Sequence, residues 1–382
     1  MRLPVSWLRE SVAFEWGERE LADRLTALGF EVESLRPVAP PFTGVVVARI
    51  IEAAPHPQAD KLRVCRVDAG GEALQVVCGA PNARAGLVTA LATVGATLPD
   101  GTKIGRAKLR GVESQGMLCS ARELQLTEEG SGIIELDAVA PVGASLRDWL
   151  HLDDSIVELG ITPNRGDALS VLGIARELAA ASGKPLRLGQ AAAVPVVASA
   201  TGEDVHAKLD PGAGCARLAS CRITGLDNTR ASPAWLRQKL ADCGLRSISP
   251  LVDVTNFVLI ELGQPMHAYD AAKLRGRLHT RLARAGEACE LLDGRQVEFT
   301  GDELVIADDA GPVGFAGVMG SAHSAIQPGT TEVLFEAAWF DPKAIAARAR
   351  RHGLVTDASQ RFERGVDPEG QERALARAVA LA

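Results

Sequence analysis

The sequence predicts a multi-domain α+β protein, in which a small β-barrel is inserted into a small α/β domain and is followed by a mixed α+β region. The chain has 382 residues, enough for two or three domains of ordinary size. Short Val- and Ile-rich segments between residues 42 and 126 are separated by Gly, Pro, Asn and Asp, as in small barrels and sandwiches. Amphipathic helical patterns lie before and after these segments.

Composition and charge exclude several classes of protein. Hydrophobic residues make up 47% of the chain and charged residues 23%, as in soluble globular proteins. No segment approaches the ~20 uninterrupted apolar residues of a membrane helix, and the N-terminus lacks the pattern of a secretory signal. The net charge of −7 argues against a surface that is basic all over, but it allows a local basic patch.

The cysteines indicate a reducing compartment. Their number is odd, they are scattered, and no pair has the CxxC spacing. A disulfide framework and a zinc site are therefore not expected, and we predict a cytoplasmic protein. The seven positions are Cys65, Cys78, Cys119, Cys215, Cys221, Cys243 and Cys289.

Residues 1–39 and 153–190 are predicted to form one domain, interrupted by the inserted barrel. The first part contains a helix that Gly29 ends, with leucines at helical spacing at positions 21, 25 and 28. The second part contains a helix that is capped by Asp167 and ended by Gly183. Because this second helix has no obvious partner in the barrel, we predict that it packs on the N-terminal helix.

Residues 200–382 are predicted to form a third, α+β domain, after a linker of small residues over 187–203. Ser232 begins a helix that Gly244 ends, and another helix is expected to begin at Asp341. The amphipathic pattern of the last residues has no stop signal. We therefore expect the chain to be truncated at its C-terminus relative to a longer protein.

The barrel region has a local positive charge. Residues 42–112 contain nine Lys or Arg and five Asp or Glu. Arg106, Lys108 and Arg110 alternate with apolar residues, so on a strand they would share one face and could meet phosphates. A polar strand face is more often simply solvated, and the residues alone favour that interpretation. His56 in the segment HPQADKL is interpreted as structural, because no second metal ligand follows it at a suitable spacing.

Residues 240–365 contain three features of possible chemical interest. The segment GFAGVMGS lets backbone N–H groups approach a ligand, but it matches no nucleotide-binding pattern. His267 is predicted to lie in a loop, where a lone histidine is usually structural. Glu336 lies within the apolar segment VLFEAAWF. Because burying an unpaired acid is costly, a position at a solvent edge is favoured.

Longer segments resemble a known family. HPQADKLRVCRVDAG, VVCGAPNARAG and KIGRAKLRG resemble the tRNA-binding barrel of several synthetase subunits, an oligonucleotide-binding (OB) fold. GLRSISPLVDVTNFVLIELGQPMHAYD, GFAGVMGS and GLVTDASQRFERGVDP resemble the B3/B4 module of bacterial phenylalanine–tRNA ligase beta subunits. The resemblance covers essentially the whole chain. It implies a B1 domain at 1–39 plus 153–190, a B2 barrel at 40–152 and a B3/B4 editing domain at 200–382.

The resemblance also implies a function and a set of site residues. In that family, the B3/B4 interface hydrolyses tyrosine that has been wrongly esterified to tRNA(Phe). The implied catalytic residues are His267, Thr255, Asn256, Arg246 and Thr356. The implied substrate-binding residues are Glu336, Gly320 and Ala358, and the implied RNA-binding residues are Arg106, Lys108 and Arg110. Glu336 and the backbone of the glycine-rich segment would read the tyrosine hydroxyl, and His267 would hold the ester or a water.

Two positions depart from the family pattern. Ser321 stands where the family usually has a second glycine, and Phe257 stands where it commonly has tyrosine. Both changes are mild, and Ser321 affects only the expected shape of one pocket wall.

The resemblance implies tRNA(Phe) and an alpha subunit as partners, in a heterotetramer of two alpha and two beta chains. ATP and Mg²⁺ belong to the full enzyme. No nucleotide or metal site is visible in these residues, so we expect no cofactor and no aminoacylation from this chain alone. Neither a membrane nor DNA is expected as a partner.

Ester hydrolysis requires a positioned water and stabilisation of the oxyanion. No Ser-His-Asp or metal-hydroxide pattern is visible, so His267, backbone groups and tRNA hydroxyls are expected to position the water. Two alternatives remain open, namely an RNA-binding module with a passive α+β scaffold and a structural adaptor for a partner subunit. Activity on mischarged tRNA separates editing from both alternatives, and salt-dependent RNA binding separates the alternatives from each other.

Overall fold

The computed structural model describes residues 1–127, 130–187 and 207–382, so the predicted linker at 187–203 lies almost entirely outside the described residues. Two compact units are present, one formed by Met1–Leu35 and Val157–Ala382 and the other by Arg36–Ile156. Both helices and sheets occur in the described residues, which confirms the α+β class. The predicted domain boundaries, including the division near residue 200, remain predictions.

The first unit begins with short strands and helices. These are β1 (Arg2–Pro4), α1 (Val5–Ser11), α2 (Glu18–Ala27) and β2 (Glu31–Pro37). The predicted leucine stripe on α2 is present, since Leu21 and Leu25 are fully buried. The helix ends as predicted. Gly29 has a φ of +87°, a backbone conformation that residues other than glycine rarely adopt.

The second unit contains a five-stranded antiparallel sheet in the order β5-β4-β3-β6-β9, and a β7-β8 hairpin. Val45, Val47 and Ile50 of β3 are buried in the apolar interior of this unit. The elements are β3 (Thr43–His56), β4 (Ala59–Asp68), β5 (Leu74–Cys78), β6 (Val88–Thr97), β7 (Ala107–Leu109), β8 (Val112–Ser114), β9 (Met117–Leu118) and α3 (Leu146–Trp149).

The chain then forms β10 (Ser155–Gly160), the middle strand of a sheet in the order β1-β10-β2, and α4 (Val171–Ser182). The predicted cap of α4 is wrong. Asp167 lies in a preceding 3₁₀ turn, and Ser170 caps the helix by accepting a hydrogen bond from the Gly173 amide. Helix α4 contacts α1, and it shares an apolar cluster with Leu21 and Leu25 of α2, the helix on which it was predicted to pack.

The remaining elements form three sheets and five helices in the described residues 207–382. The sheet orders are β11-β14-β17-β18-β19, β12-β20-β13 and β15-β16. The elements are β11 (Lys208–Leu209), β12 (Cys215–Thr224), α5 (Ala234–Asp242), α6 (Pro250–Leu262), β13 (Met266–Asp270), β14 (His279–Leu282), β15 (Ala288–Glu290), β16 (Gln296–Glu298), β17 (Leu304–Asp308), β18 (Gly311–Phe315), β19 (Met319–Gly320), β20 (Glu332–Phe340), α7 (Pro342–Arg351), α8 (Asp357–Arg364) and α9 (Gln371–Leu381).

The central strand β20 has two different faces. Val333, Phe335 and Ala337 pack in an apolar cluster with α6 and α9. Ala338 and Phe340 pack on the opposite side, in a cluster that includes β17, β18 and α8. Because successive side chains of a strand alternate between faces, Glu336 lies on the second face, beneath the glycine-rich segment.

Candidate functional site

Strands β13 and β20 bring His267 and Glu336 together. The two residues are direct partners in the antiparallel register, and side chains in such a pair lie on the same face at close distance. The prediction that His267 lies in a loop is therefore wrong. Pro265 precedes the strand, where its missing N–H removes no ladder hydrogen bond.

Glu336 is buried, which corrects the expectation of a position at a solvent edge. Its side chain is only 6% exposed, and the Tyr269 hydroxyl donates a hydrogen bond of 2.5 Å to its Oε2 atom. Its Oε1 atom has no hydrogen-bond partner among the described residues. Burial raises the pKa of Glu336 to about 7, and the hydrogen bond from Tyr269 opposes this rise.

Tyr269 is a site residue that the sequence reasoning missed. It is 1% exposed, and its pKa is raised well above the ordinary value by burial and by the nearby Glu336, so it remains a hydrogen-bond donor. Two signals were available in the sequence. Tyr269 lies two residues after His267, which places both on one face of a strand, and it is the single tyrosine of the chain.

His267 packs between Tyr269 and the glycine-rich segment. The two rings meet edge to face, with centroids 4.3 Å apart. The Nε2 atom of His267 is buried and has no hydrogen-bond partner, and burial lowers the pKa of the ring to about 4. A Cβ atom at Gly320 would lie 2.1 Å from the Cε1 atom of His267, so the ring fits only because residue 320 is glycine.

These groups line an open cavity with an empty volume of about 430 Å³, including its mouth. His267, Tyr269 and Glu336 provide its polar side chains, and the remaining wall is mostly apolar, with Phe315 and Phe362 among its residues. An apolar cavity with a few converging polar groups is typical of small-molecule sites. Four predicted site residues therefore meet here, namely His267, Glu336, Gly320 and Ala358.

Thr356 does not line the cavity, but it connects two of its walls. Its hydroxyl accepts a hydrogen bond from the Ser359 amide and so caps α8, the helix that carries Ala358. The same hydroxyl donates a hydrogen bond of 3.0 Å to the carbonyl of Val318 in the glycine-rich segment. Thr356 thus holds the helix against that segment.

The other three predicted catalytic residues do not line this cavity. Arg246 is exposed in the loop before α6. Thr255 and Asn256 lie on α6 and are half-buried, and the Thr255 hydroxyl donates to the Val252 carbonyl. The sequence-based prediction for these three residues depended on the resemblance alone, and a catalytic role for them remains a prediction.

The two departures from the family pattern also lie outside the cavity lining. Ser321 is buried, and its hydroxyl accepts a hydrogen bond from the His323 amide. Phe257 is buried against the N-terminal part of the first unit, where its ring stacks on Trp7 with centroids 4.8 Å apart.

The three predicted RNA-binding residues are exposed but do not form one strand face. Strand β7 covers only Ala107–Leu109, so Arg106 precedes it, and Arg110 lies in the turn with a φ of +46°. Arg106 also lies 3.7 Å from the carboxylate of Glu113, and Lys108 is opposite the same residue in the hairpin register. The predicted continuous stripe is therefore corrected to a short cationic hairpin that contains one acid.

His56 has the structural role that was predicted. It is buried, its Nδ1 atom accepts from the Gln58 amide, and its Nε2 atom lies 3.1 Å from the Leu109 carbonyl oxygen. The ring thus attaches the cationic hairpin to the end of β3.

Within the described parts of the chain, no group of three or more His, Cys, Asp or Glu side chains could hold a metal ion. All seven cysteines are free. In the same residues, no helix combines the length and the apolar character needed to cross a bilayer.

The comparisons with known proteins agree with this organisation. Residues 214–382 match the B3/4 domain family, and residues 45–145 match a tRNA binding domain family. The phenylalanine–tRNA ligase beta subunit of Methylococcus capsulatus is 52% identical over all 382 residues, and that of Yersinia pestis is 48% identical. In both cases the match covers 100% of this chain and 48% of the relative.

One solved structure is a more distant match. An N-terminal fragment of the phenylalanyl-tRNA synthetase beta-subunit from Pyrococcus horikoshii is 10% identical, covering 94% of this chain and 73% of that chain, and its TM-score of 0.34 is too low to establish a shared fold. The chain spans about half the length of the relatives that it matches. With close to half of its residues identical across its whole length, this chain belongs to the phenylalanine–tRNA ligase beta-subunit family.

Proposed function

We propose that this chain binds tRNA(Phe) and hydrolyses tyrosine that has been wrongly esterified to it. The observation that best supports this proposal is the pairing of His267 and Glu336 at one apolar cavity, where each has a hydrogen-bonding atom without a partner. A substrate with one hydroxyl and one ester group offers partners for both atoms.

The physical need for such a site follows from the similarity of the two amino acids. Phenylalanine and tyrosine differ by one hydroxyl, and an apolar pocket rejects an added hydroxyl by only about 10²-fold. A second site that hydrogen-bonds the hydroxyl discriminates better, because its polar group stays unpaired when phenylalanine enters. In this proposal, the Oε1 atom of Glu336 accepts the hydrogen bond of the tyrosine phenol.

His267 is proposed to position a water or the ester. A general base works best when its pKa lies near the operating pH. With a pKa of about 4, the buried ring of His267 is a weak base at neutral pH. This favours a positioning role over proton abstraction, with backbone N–H groups and tRNA hydroxyls supplying the remaining hydrogen bonds.

We propose that the second unit is the tRNA-binding part and has an OB-type barrel. Its match to a tRNA binding domain family and its exposed cations Arg106, Lys108 and Arg110 support this assignment. A heterotetramer with two alpha subunits and a cytoplasmic location are proposed by family membership alone. ATP and Mg²⁺ are likewise assigned to the full enzyme by family membership alone.

The decisive experiment follows the loss of the ester bond from tyrosyl-tRNA(Phe) in the presence of the purified chain. Phenylalanyl-tRNA(Phe) is the matched control, because it differs only in the hydroxyl. We expect faster loss of the tyrosyl ester. RNA binding without loss of either ester above the spontaneous rate would contradict editing and would support the alternative of a binding or assembly scaffold.

A further inference from the structure

We propose that Tyr269 is a positioning residue that determines specificity. Its phenol occupies one carboxylate oxygen of Glu336 and leaves the other oxygen as the acceptor for the phenol of the substrate. This inference rests on the proposed editing function. It adds a residue that affects substrate recognition by positioning the carboxylate of Glu336. The carboxylate is thus shared between an internal phenol and the phenol of the ligand.

The geometry supports a fixed arrangement. The Tyr269 hydroxyl and the Oε2 atom of Glu336 are 2.5 Å apart, and both side chains are more than nine-tenths buried. His267 covers the edge of the tyrosine ring. The carboxyl group therefore cannot turn freely, and the oxygen that lacks a partner stays directed away from Tyr269, in a side chain that lines the cavity.

The hydrogen bond from Tyr269 also favours the ionised form of Glu336, which is the stronger acceptor for the hydrogen bond of a phenol. A buried carboxyl group tends to take up a proton, and a donor at one oxygen opposes this by stabilising the ionised form. An ionised acceptor makes a charge-assisted hydrogen bond, which is about twice as strong as a neutral one. Without Tyr269, we expect Glu336 to be protonated over a wider pH range and to distinguish the two esters less well.

The titratable groups near Glu336 do not change charge in the pH range in which Glu336 itself titrates. They are His267 and Tyr269 on β13, Cys215 on β12 and Cys289 on β15. Burial lowers the pKa of His267 to about 4 and raises that of Cys215 to about 12, and the pKa values of Cys289 and Tyr269 are raised as well. Between about pH 5 and pH 8, Glu336 is thus the group of this set that titrates.

The first test compares two variants that each remove one buried hydroxyl. Tyr269→Phe removes the bond to Glu336. Thr330→Val removes the 2.8 Å bond between Thr330 and Asp270, a buried carboxylate next to Tyr269 in the sequence and outside the cavity lining. At pH 7, Tyr269→Phe should lower the ratio of tyrosyl to phenylalanyl ester hydrolysis by about tenfold. The pH midpoint of this ratio should rise by about one unit, whereas Thr330→Val should leave both values unchanged.

The second test uses the fact that the chain has a single tyrosine, so that tyrosine labelled with ¹³C at Cζ reports on Tyr269 alone. Its signal should titrate with Glu336 in the wild type and lose this titration in Glu336→Gln. Unlabelled tyrosinamide should shift the signal, and phenylalaninamide should shift it much less. A signal that does not titrate, or that both ligands shift equally, would overturn the inference.

The outcomes separate this inference from the proposed function. If the wild-type chain does not prefer the tyrosyl ester, the proposed function fails and the inference fails with it. If the wild type prefers the tyrosyl ester and Tyr269→Phe keeps both its ratio and its pH midpoint, only the inference fails. A preference that is lost in Tyr269→Phe and kept in Thr330→Val supports both.

Discussion

At the scale of single residues, the candidate site has two polar atoms that lack a hydrogen-bond partner among the described residues. The Nε2 atom of His267 is buried and unpaired, and Oε1 of Glu336 has no partner among the described residues. Leaving a polar group unpaired in a dry environment costs about 1–3 kcal/mol. A ligand that pairs with the buried Nε2 atom of His267 recovers this free energy, so this atom favours binding of a polar group at the cavity.

Glu336→Ala should reduce the preference for tyrosine. Loss of a charge-assisted hydrogen bond should cost about 1.5–3 kcal/mol for the tyrosyl ester, or roughly 10- to 150-fold in rate. The phenylalanyl ester has no hydroxyl, so its rate should change little. Glu332→Ala, at the more exposed start of the same strand, is the matched control. Equal losses on both esters would mean that Glu336 supports the structure and does not read the substrate.

His267→Ala should slow hydrolysis of the tyrosyl ester by roughly 10- to 100-fold, because a misplaced water or ester reacts slowly. The fold should persist, and circular dichroism and thermal unfolding check this. His279→Ala, which removes a partly buried histidine bonded to Asp210, is the control. Unfolding of the His267 variant would show that the histidine is structural, and a small change in rate would show that other groups position the water.

Glu336→Gln should change how stability depends on pH. Because the pKa of Glu336 is raised from 4.5 to about 7, its contribution to stability is fully present below pH 4.5 and is lost as the pH rises through 7. Relative to the wild type, the variant should gain about 3 kcal/mol between pH 4.5 and pH 8. Urea unfolding at both pH values measures this difference, and a constant difference would contradict the raised pKa.

The contribution of His267 to stability depends on pH in the opposite way. His267 is present in both the wild type and the Glu336→Gln variant. Its pKa is lowered from 6.5 to about 4, so its contribution is present above pH 6.5 and is lost as the pH falls through 4. The comparison of wild type with Glu336→Gln cancels this contribution.

The sequence analysis singled out His267 and Glu336, but it did not predict how these residues are partnered. The apolar segment around Glu336 is visible in the sequence, whereas its partner Tyr269 is 67 residues away. Only the register of β13 and β20 makes them neighbours, and no local pattern determines a register between distant strands. For this reason, the cost of burying an unpaired acid led to the wrong position for Glu336.

At the scale of elements, local signals predicted the ends of helices well. Gly29, Gly183 and Gly244 all follow helices with positive φ angles, as glycine does at a helix C-terminus. The start of α4 was less well predicted, because Asp167 and Ser170 are both good caps and the intervening 3₁₀ turn has no clear signature.

The β7–β8 hairpin is the element to test for RNA binding. Replacing Arg106, Lys108 and Arg110 with alanine should weaken RNA binding and reduce the dependence of log K on log salt by up to about three units. Because Arg106 is close to Glu113, its contribution to the salt dependence should be smaller than that of Lys108 or Arg110. Binding titrations at several salt concentrations measure this slope.

The control for the hairpin replaces three cations of the same unit whose side chains already donate hydrogen bonds within it, namely Arg49, Arg66 and Arg84. It removes the same charge from other parts of the unit. If both triple variants lower the slope equally, the effect is one of total charge. An unchanged slope in the hairpin variant would indicate that this hairpin is simply solvated.

At the scale of the whole molecule, we expect no aminoacylation by this chain alone. No nucleotide-binding pattern is present in the sequence, and the described residues offer no cluster of metal ligands. Incubation with tRNA(Phe), ATP, Mg²⁺ and phenylalanine should therefore give no charged tRNA, whereas a complete phenylalanine–tRNA ligase should charge it. Charging by the purified chain would contradict this prediction.

The sheet in the order β1-β10-β2 has a consequence for the order of folding during synthesis. Neither β1 nor β2 has its strand partner until β10 leaves the ribosome, and the Leu159 amide then bonds to the Met1 carbonyl. By that point, nearly all of Arg36–Ile156 has been made, and its paired strands lie closer together in the chain than β1 and β10 do. Short loops close at a lower entropic cost than long ones. We therefore expect the inserted unit to form first. Until β10 is available, β1 and β2 expose unpaired edges to chaperones and to other nascent chains.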